Sequence, residues 1–346
     1  MAYKGVLDDI RKCAKLQKPN RIPVFGCSEE FDVRVCGNGM TYESYCTNAK
    51  DMASVQIAAV ARFGYDWSWM QVDDCIMFEL LGVGVKGEGN ILRATYAYLP
   101  ATFETLKKLK VPDPEKDGRM PVLLESIATV KAKFGDTLCV CGRTEAPFSS
   151  AGLLYGLENA MMLIYEEPNL LRETMEFFVE AQTRFGLAQY NAGADALWFG
   201  DCNASSHLLS PKFYEDFAFE PAKRCTKTYT DAGGLVFYHA SEEGTSHQIM
   251  TWLGVSALTS GPGRDTESGL AVMKDKICYL GNLDPIHVLQ NGTKEKVAAE
   301  TVRIMELGKK QNGFMFNTGE MVPRETPVEN MIAMVQTAKK HGELKG

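Results

Sequence analysis

The chain has 346 residues, 45% of them hydrophobic and 23% charged, the balance of a folded protein able to bury a large core rather than of a disordered one. That length suits one large barrel with insertions and does not by itself demand two domains. The formal net charge of −7 argues against a broad nucleic-acid-binding face and leaves anionic ligands only a local basic pocket.

Met1–Asp9 reads as the start of a polar helix and lacks the apolar stretch of a secretion signal, so a cytoplasmic protein is expected. No later apolar run approaches the roughly 20 residues of a membrane span. The ten cysteines include no Cys-x-x-Cys pair, and reduced thiols are expected. Cys139 and Cys141 alternate on one strand and so share a side, where small buried hydrophobes are the plain expectation.

Short apolar runs alternate with amphipathic stretches along the chain, the pattern of a parallel sheet wrapped by helices. Strands are expected at Arg21–Gly26, Trp67–Val72, Thr137–Gly142, Ala194–Gly200, Gly234–His239, Ala257–Ser260, Ile277–Gly281 and Gly313–Asn317. Helices are expected at Gln56–Phe63, Ala101–Leu109, Ala160–Asn191, Pro211–Ala232, Lys294–Lys310 and Val328–Gly342. Ser210 before Pro211 should cap one helix, and Thr326-Pro327-Val328-Glu329 has the spacing of a capping box. An open, doubly wound sheet is the alternative, but no Gly-x-Gly-x-x-Gly links a strand to a helix. The expected fold is α/β: a single (β/α)8 TIM barrel over residues 1–346, with an N-terminal helical extension.

In such a barrel the residues just past the strands converge on the catalytic face. Here they are Asp73 and Asp74, Arg143-Thr144-Glu145, Asp201-Cys202-Asn203, His239-Ala240-Ser241, Ser260, Asn282-Leu283-Asp284 and, a little beyond the last strand, Glu320. Any one of them alone could be a helix cap; their recurrence points to a site. His239 ends a strand with no other charged group and is equally open to metal binding, acid–base work or a core hydrogen bond. Trp67, Trp69, Tyr96, Phe148 and Trp198 are candidates for an aromatic pocket, against the plainer expectation that each fills the core.

Gly281-Asn282-Leu283-Asp284-Pro285 followed by Leu289-Gln290-Asn291-Gly292-Thr293 resembles the GN-x-DP…L-x-x-GT run of the uroporphyrinogen decarboxylase superfamily. So do Asn20–Val24, Gly142–Phe148, Gly193–Ala196, Leu209–Tyr214 and Thr318–Asn330, in order over nearly the whole chain. The resemblance implies a single (β/α)8 barrel and one of two chemistries: metal-free decarboxylation of a porphyrinogen, or zinc-dependent methyl transfer involving a corrinoid protein. Decarboxylases should carry an Arg-Pro-Pro-x-Trp-x-Met-Arg-Gln-Ala-Gly signature, whereas Arg21 here begins Arg-Ile-Pro-Val-Phe-Gly-Cys-Ser-Glu-Glu. Glu29, Glu30, Asp73 and Asp74 near one mouth would also serve a polycarboxylate poorly.

Methyltransferases that act on thiols typically have His-x-Cys after one strand and a Gly-Cys segment after the last. Those positions hold His239-Ala240-Ser241 and Gly319-Glu320 here. The resemblance therefore implies either a lost metal site or a harder zinc site made of His239, Glu320 and an atom of Asp201 or Cys202. Carboxylate and imidazole leave zinc a stronger Lewis acid than thiolates do, which suits cleavage of a methyl ether. The expected activity is methyl transfer from a small methylated substrate, a methoxylated aromatic above all, to the cobalamin of a corrinoid partner protein. Asp201, His239 and Glu320 are the expected catalytic set, while Asp73, Asp74, Arg143, Glu145 and Asn282 should bind substrate. The alternatives are a uroporphyrinogen-type decarboxylase, a thiol-directed methylcobamide methyltransferase and a non-catalytic tetrapyrrole-binding barrel.

Overall fold

Seven strands, neighbours in chain order and all parallel, make the main sheet of the computed structural model, which describes residues 3–344. They are β1 (Trp67–Trp69), β4 (Cys139–Glu145), β5 (Ala196–Gly200), β6 (Leu235–His239), β7 (Ala257–Thr259), β8 (Cys278–Leu280) and β9 (Phe314–Met315). A small antiparallel hairpin, β2 (Gly84–Lys86) and β3 (Ala94–Ala97), is inserted after β1. Parallel neighbours need crossover connections, and the helices supply them. Every residue of β4 is buried, as a parallel strand covered on both faces must be.

The register explains the curl. Trp67 pairs with Cys139, Arg143 with Trp198, Trp198 with Phe237, and Gly200 with His239, so these side chains share one face. On a flat sheet β1 and β6, three strands apart, would be separated by about 14 Å. Yet the Trp67 and Phe237 rings lie 6.5 Å apart, and Phe25 contacts both, at 4.6 and 6.2 Å. The shared face is therefore concave and filled with aromatic rings.

Residues 23–25 bridge the two edges. Phe25 N–H donates to Phe316 and Phe316 N–H to Pro23 beside β9, while Asp66 N–H, just before β1, donates to Val24. The expected strand Arg21–Gly26 is reduced to isolated bridges, Val24 with Phe316 and Arg21 with Glu343. Pro23 has no N–H to offer a ladder.

The other corrections have local causes. The expected strand Thr137–Gly142 is β4, shifted forward, so Arg143 and Glu145 lie on the strand rather than past it. The expected helix 160–191 is two helices, Leu157–Glu166 and Pro168–Asn191, because Pro168 breaks the ladder and opens the second. Helix 211–232 contains a π turn at Tyr214–Phe219. Ser210 does cap it, accepting from Phe213 N–H, whereas Thr326 caps nothing and its buried hydroxyl lacks a partner. Helices at Glu29–Cys36, Met120–Phe134, Pro147–Tyr155 and Thr266–Met273 were not legible, nor was the hairpin.

Buried hydrophobic residues from Val6 to Ala338 form one contiguous cluster, with Cys139 and Cys141 fully inside it. No helix among the described residues is long and apolar enough to cross a membrane.

Candidate active site at the sheet's carboxyl edge

β6 delivers His239 to the mouth of the concave face, where its ring stacks on Trp198 with centroids 4.7 Å apart. Its Nδ1 is 2.8 Å from Thr259 Oγ1 on β7, which fixes the ring and leaves Nε2 facing the mouth. Nε2 lies 3.1 Å from Glu320 Oε2 and 3.1 Å from Ser241 Oγ. Ser241 Oγ donates to the same Glu320 oxygen over 2.5 Å. Cys202 sits in the turn after β5, its Sγ 3.7 Å from Ser241 Oγ. Ser241, standing where a thiol was the family expectation, has a left-handed φ of +48°, which a non-glycine residue adopts when its surroundings hold it there.

One donor atom each from Cys202, His239 and Glu320 lies within 4.8 Å of the other two. Zinc distances of about 2.0–2.3 Å to nitrogen, oxygen and sulfur fit such a triangle, and three protein ligands leave a fourth position open. The donor set and the Thr259 anchor on Nδ1 thus suit zinc. Without a metal the same groups form an ion pair. Burial opposes a charged imidazole, but Glu320 and the Cys202 sulfur hold the His239 pKa up at about 10. Burial likewise opposes the Glu320 carboxylate, yet His239 and Ser241 draw it down to about 2.

The expected site residues divide. Asp201 is not part of the triangle: it is fully buried, one oxygen accepting from Ser149 Oγ (2.7 Å) and the other from Tyr238 OH (2.6 Å). Strand alternation is the reason, since Gly200 shares the His239 face and the next residue points outward. Burial pushes its pKa up to about 6, against those hydrogen bonds. Asn282 ties loops together, donating to Gly261 O and Arg264 O and accepting from Thr266, so both of its N–H donors are already used within the protein. Asp73 is occupied by a two-pronged bond from Arg119. Asp284 caps the turn at Ile286 and His287. Arg143 holds Asp74, Glu145 and the Val72 carbonyl at the mouth.

Tyr96 lies on the hairpin and is 56% exposed, which removes it from any pocket, whereas Trp69 and Trp198 meet edge to face at 5.4 Å beside His239. Thr259 escaped notice because a threonine inside a strand reads as a β-former. It is supported in turn by His247, whose Nε2 lies 3.2 Å from the Thr259 carbonyl oxygen.

Burial lowers the His247 pKa from 6.5 to about 4. The unfolded chain therefore binds this proton first, and the His247 contribution is present above pH 6.5 and lost as pH falls towards 4. The loss amounts to about 3 kcal/mol at most. Urea unfolding of the wild type and His247→Gln across this window should show the wild type losing more stability than the variant; parallel curves would refute it.

The sheet and its mouth define an α/β-barrel-like enzyme with a His–Cys–carboxylate cluster. The family model described as Uroporphyrinogen decarboxylase (URO-D) matches residues 7–341, and the chain belongs to that family. It is 25% identical over 333 residues to the Methylcobamide:CoM methyltransferase MtbA of Methanosarcina acetivorans, covering 95% of this chain and 96% of that protein. It is 24% identical to the uroporphyrinogen decarboxylase of Carboxydothermus hydrogenoformans, covering 92% and 89%. In fold it is similar to a methyltransferase from Methanosarcina mazei, with a TM-score of 0.85 at 22% identity over 97% of this chain and 98% of the other.

Proposed function

We propose that the protein is a methyltransferase that moves the methyl group of a methoxylated aromatic to the cob(I)alamin of a corrinoid partner protein. The observation carrying this reading is the triangle of Cys202, His239 and Glu320 at the mouth. A metal-free decarboxylase has no use for such a donor set. We read the chain as one (β/α)8 unit in which residues 23–25 complete the ring and the helix Val6–Ala14 is the N-terminal extension.

Bound by these three residues, zinc would supply Lewis acidity at the ether oxygen, stabilising the leaving phenoxide. The protein's part is positioning. Thr259 holds His239 by Nδ1, and Ser241 orients the Glu320 carboxylate. Trp69 and Trp198 offer an aromatic wall beside the cluster, against which a substrate ring can stack. Arg143, which pairs with Trp198 across the strands, lies next to that wall and with Asp74 and Glu145 shapes the same side of the mouth.

The direct test mixes the protein, cob(I)alamin-loaded corrinoid protein and methoxylated aromatics, and follows cob(I)alamin loss spectroscopically. Methylcobalamin and free phenol should form together. A thiol or methylamine serving as methyl donor while every ether fails would end the ether reading.

A further inference from the structure

Five buried polar atoms on one side of the mouth lack a hydrogen-bond partner: Glu29 Oε1, Tyr42 OH, Trp69 Nε1, Gln71 Oε1 and Arg143 Nε. All five residues are 5% exposed or less. They come from adjoining elements. Trp69 ends β1 and Gln71 follows it; Arg143 lies on the neighbouring β4 and reaches back to the Val72 carbonyl. Glu29 opens the helix after residues 23–25, and Tyr42 opens the next helix, within electrostatic reach of both Glu29 and Arg143. Buried donors and acceptors are nearly always satisfied, so this convergence of unsatisfied ones points to a ligand.

The charges at this side are already matched. Arg143 is held by Asp74 and Glu145, and Arg93 and Arg119 by Asp73 and Glu79. These three arginines are therefore taken up by the protein's own carboxylates, and a substrate carboxylate placed beside them would compete with Asp73, Asp74, Glu79 and Glu145. Among the described residues no cation forms an ion pair with Glu29, and its Oε1 has no hydrogen-bond partner. Burial holds its carboxyl well above the ordinary range, Glu30 and Asp32 add to this, and Arg143 opposes it only in part. The set is thus donor-rich, with Tyr42, Trp69 and the Nε–H of the ion-paired Arg143 as donors, Gln71 Oε1 as acceptor and an unpartnered oxygen of Glu29 beside them. An uncharged hydroxyl, which both donates and accepts, complements it.

We propose that this side of the mouth receives a phenolic hydroxyl on the substrate ring, with Glu29 and Tyr42 as its hydrogen-bond partners. The inference rests on the methoxylated-aromatic reading and narrows its substrate class to methoxyphenols, as against methoxybenzoates.

Titration calorimetry of the full-length protein with the three methoxyphenol isomers, methoxybenzene and the methoxybenzoates tests it. One methoxyphenol should bind about tenfold or more tightly than methoxybenzene and than any benzoate. Glu29→Leu and Tyr42→Phe should each erase most of that advantage while leaving methoxybenzene binding unchanged, and Glu29→Gln, which keeps a donor, should retain part of it. Thermal melts check that the variants fold, with Glu29→Gln and Tyr42→Phe as the conservative pair. A preference for benzoates, or variants that weaken methoxybenzene equally, would overturn the hydroxyl site. Ether demethylation with a benzoate preference sinks this inference alone; selective phenol binding without any methyl transfer sinks the methyltransferase reading alone; no binding of any aromatic sinks both.

Discussion

His239→Ala should yield a protein that folds, carries no stoichiometric zinc and transfers no measurable methyl group. Zinc's Lewis-acid contribution is several kcal/mol, so losing it lowers kcat/KM on the order of a thousandfold. Metal analysis of the purified wild type should give roughly one zinc per chain. Glu320→Ala should behave as His239→Ala does, because both donors belong to the triangle. Asp201→Asn is the decisive control. Its carboxylate is bound to Ser149 and Tyr238, so the variant should keep its zinc. Zinc loss in Asp201→Asn, with zinc retained in Cys202→Ala, would overturn the ligand set. Uptake should also depend on pH in a defined direction. The metal-free imidazole, with its pKa near 10, holds a proton that zinc must displace. Apparent affinity should therefore rise with pH, by about tenfold per unit for each proton released.

The second large effect is expected at Arg143. Arg143→Leu removes the only cation that bonds Glu145 among the described residues, a carboxylate whose side chain is 6% exposed. Breaking a buried pair from one side costs about 3–5 kcal/mol, because the carboxylate left behind must either stay buried and unpaired or take up a proton. Burial already pushes Glu145 up to about 7 with the arginine present. Urea unfolding should show that loss, and Arg143→Leu/Glu145→Leu should recover most of it, since the uncompensated charge is then gone. An Arg143→Leu protein as stable as the wild type would show that the pair is not what holds this part of the mouth. Any loss of substrate binding comes in addition.

Much of this was readable from the chain. His239 and Glu320 were identified from their place after apolar runs and from the family pattern, and the structure puts their side chains 3.1 Å apart. Cys202 and Asp201 are equal alternatives in the sequence, because adjacency cannot say which of two neighbours turns inward. The strand register places Gly200 opposite His239, and it is Cys202, not Asp201, that lies near His239 and Glu320. Asn282 shows a related limit: an asparagine at a strand end is equally suited to substrate or to loop carbonyls, and in the structure its amide N–H groups are taken by Gly261 and Arg264. The unsatisfied group of Glu29, Tyr42, Trp69, Gln71 and Arg143 had no motif at all, since its members are drawn from separate elements.

By itself the sequence determined the order and parallel character of most strands, because alternating apolar runs and amphipathic helices permit few other arrangements. It also points to the carboxyl edge of the strands as the place where polar side chains gather. What only the tertiary structure decided is which of those polar atoms are free. A side chain's availability depends on partners distant in sequence, as with Tyr238 for Asp201, Thr259 for His239 and Arg119 for Asp73. Those partnerships are set by the curl and register of the sheet, and no local pattern encodes them.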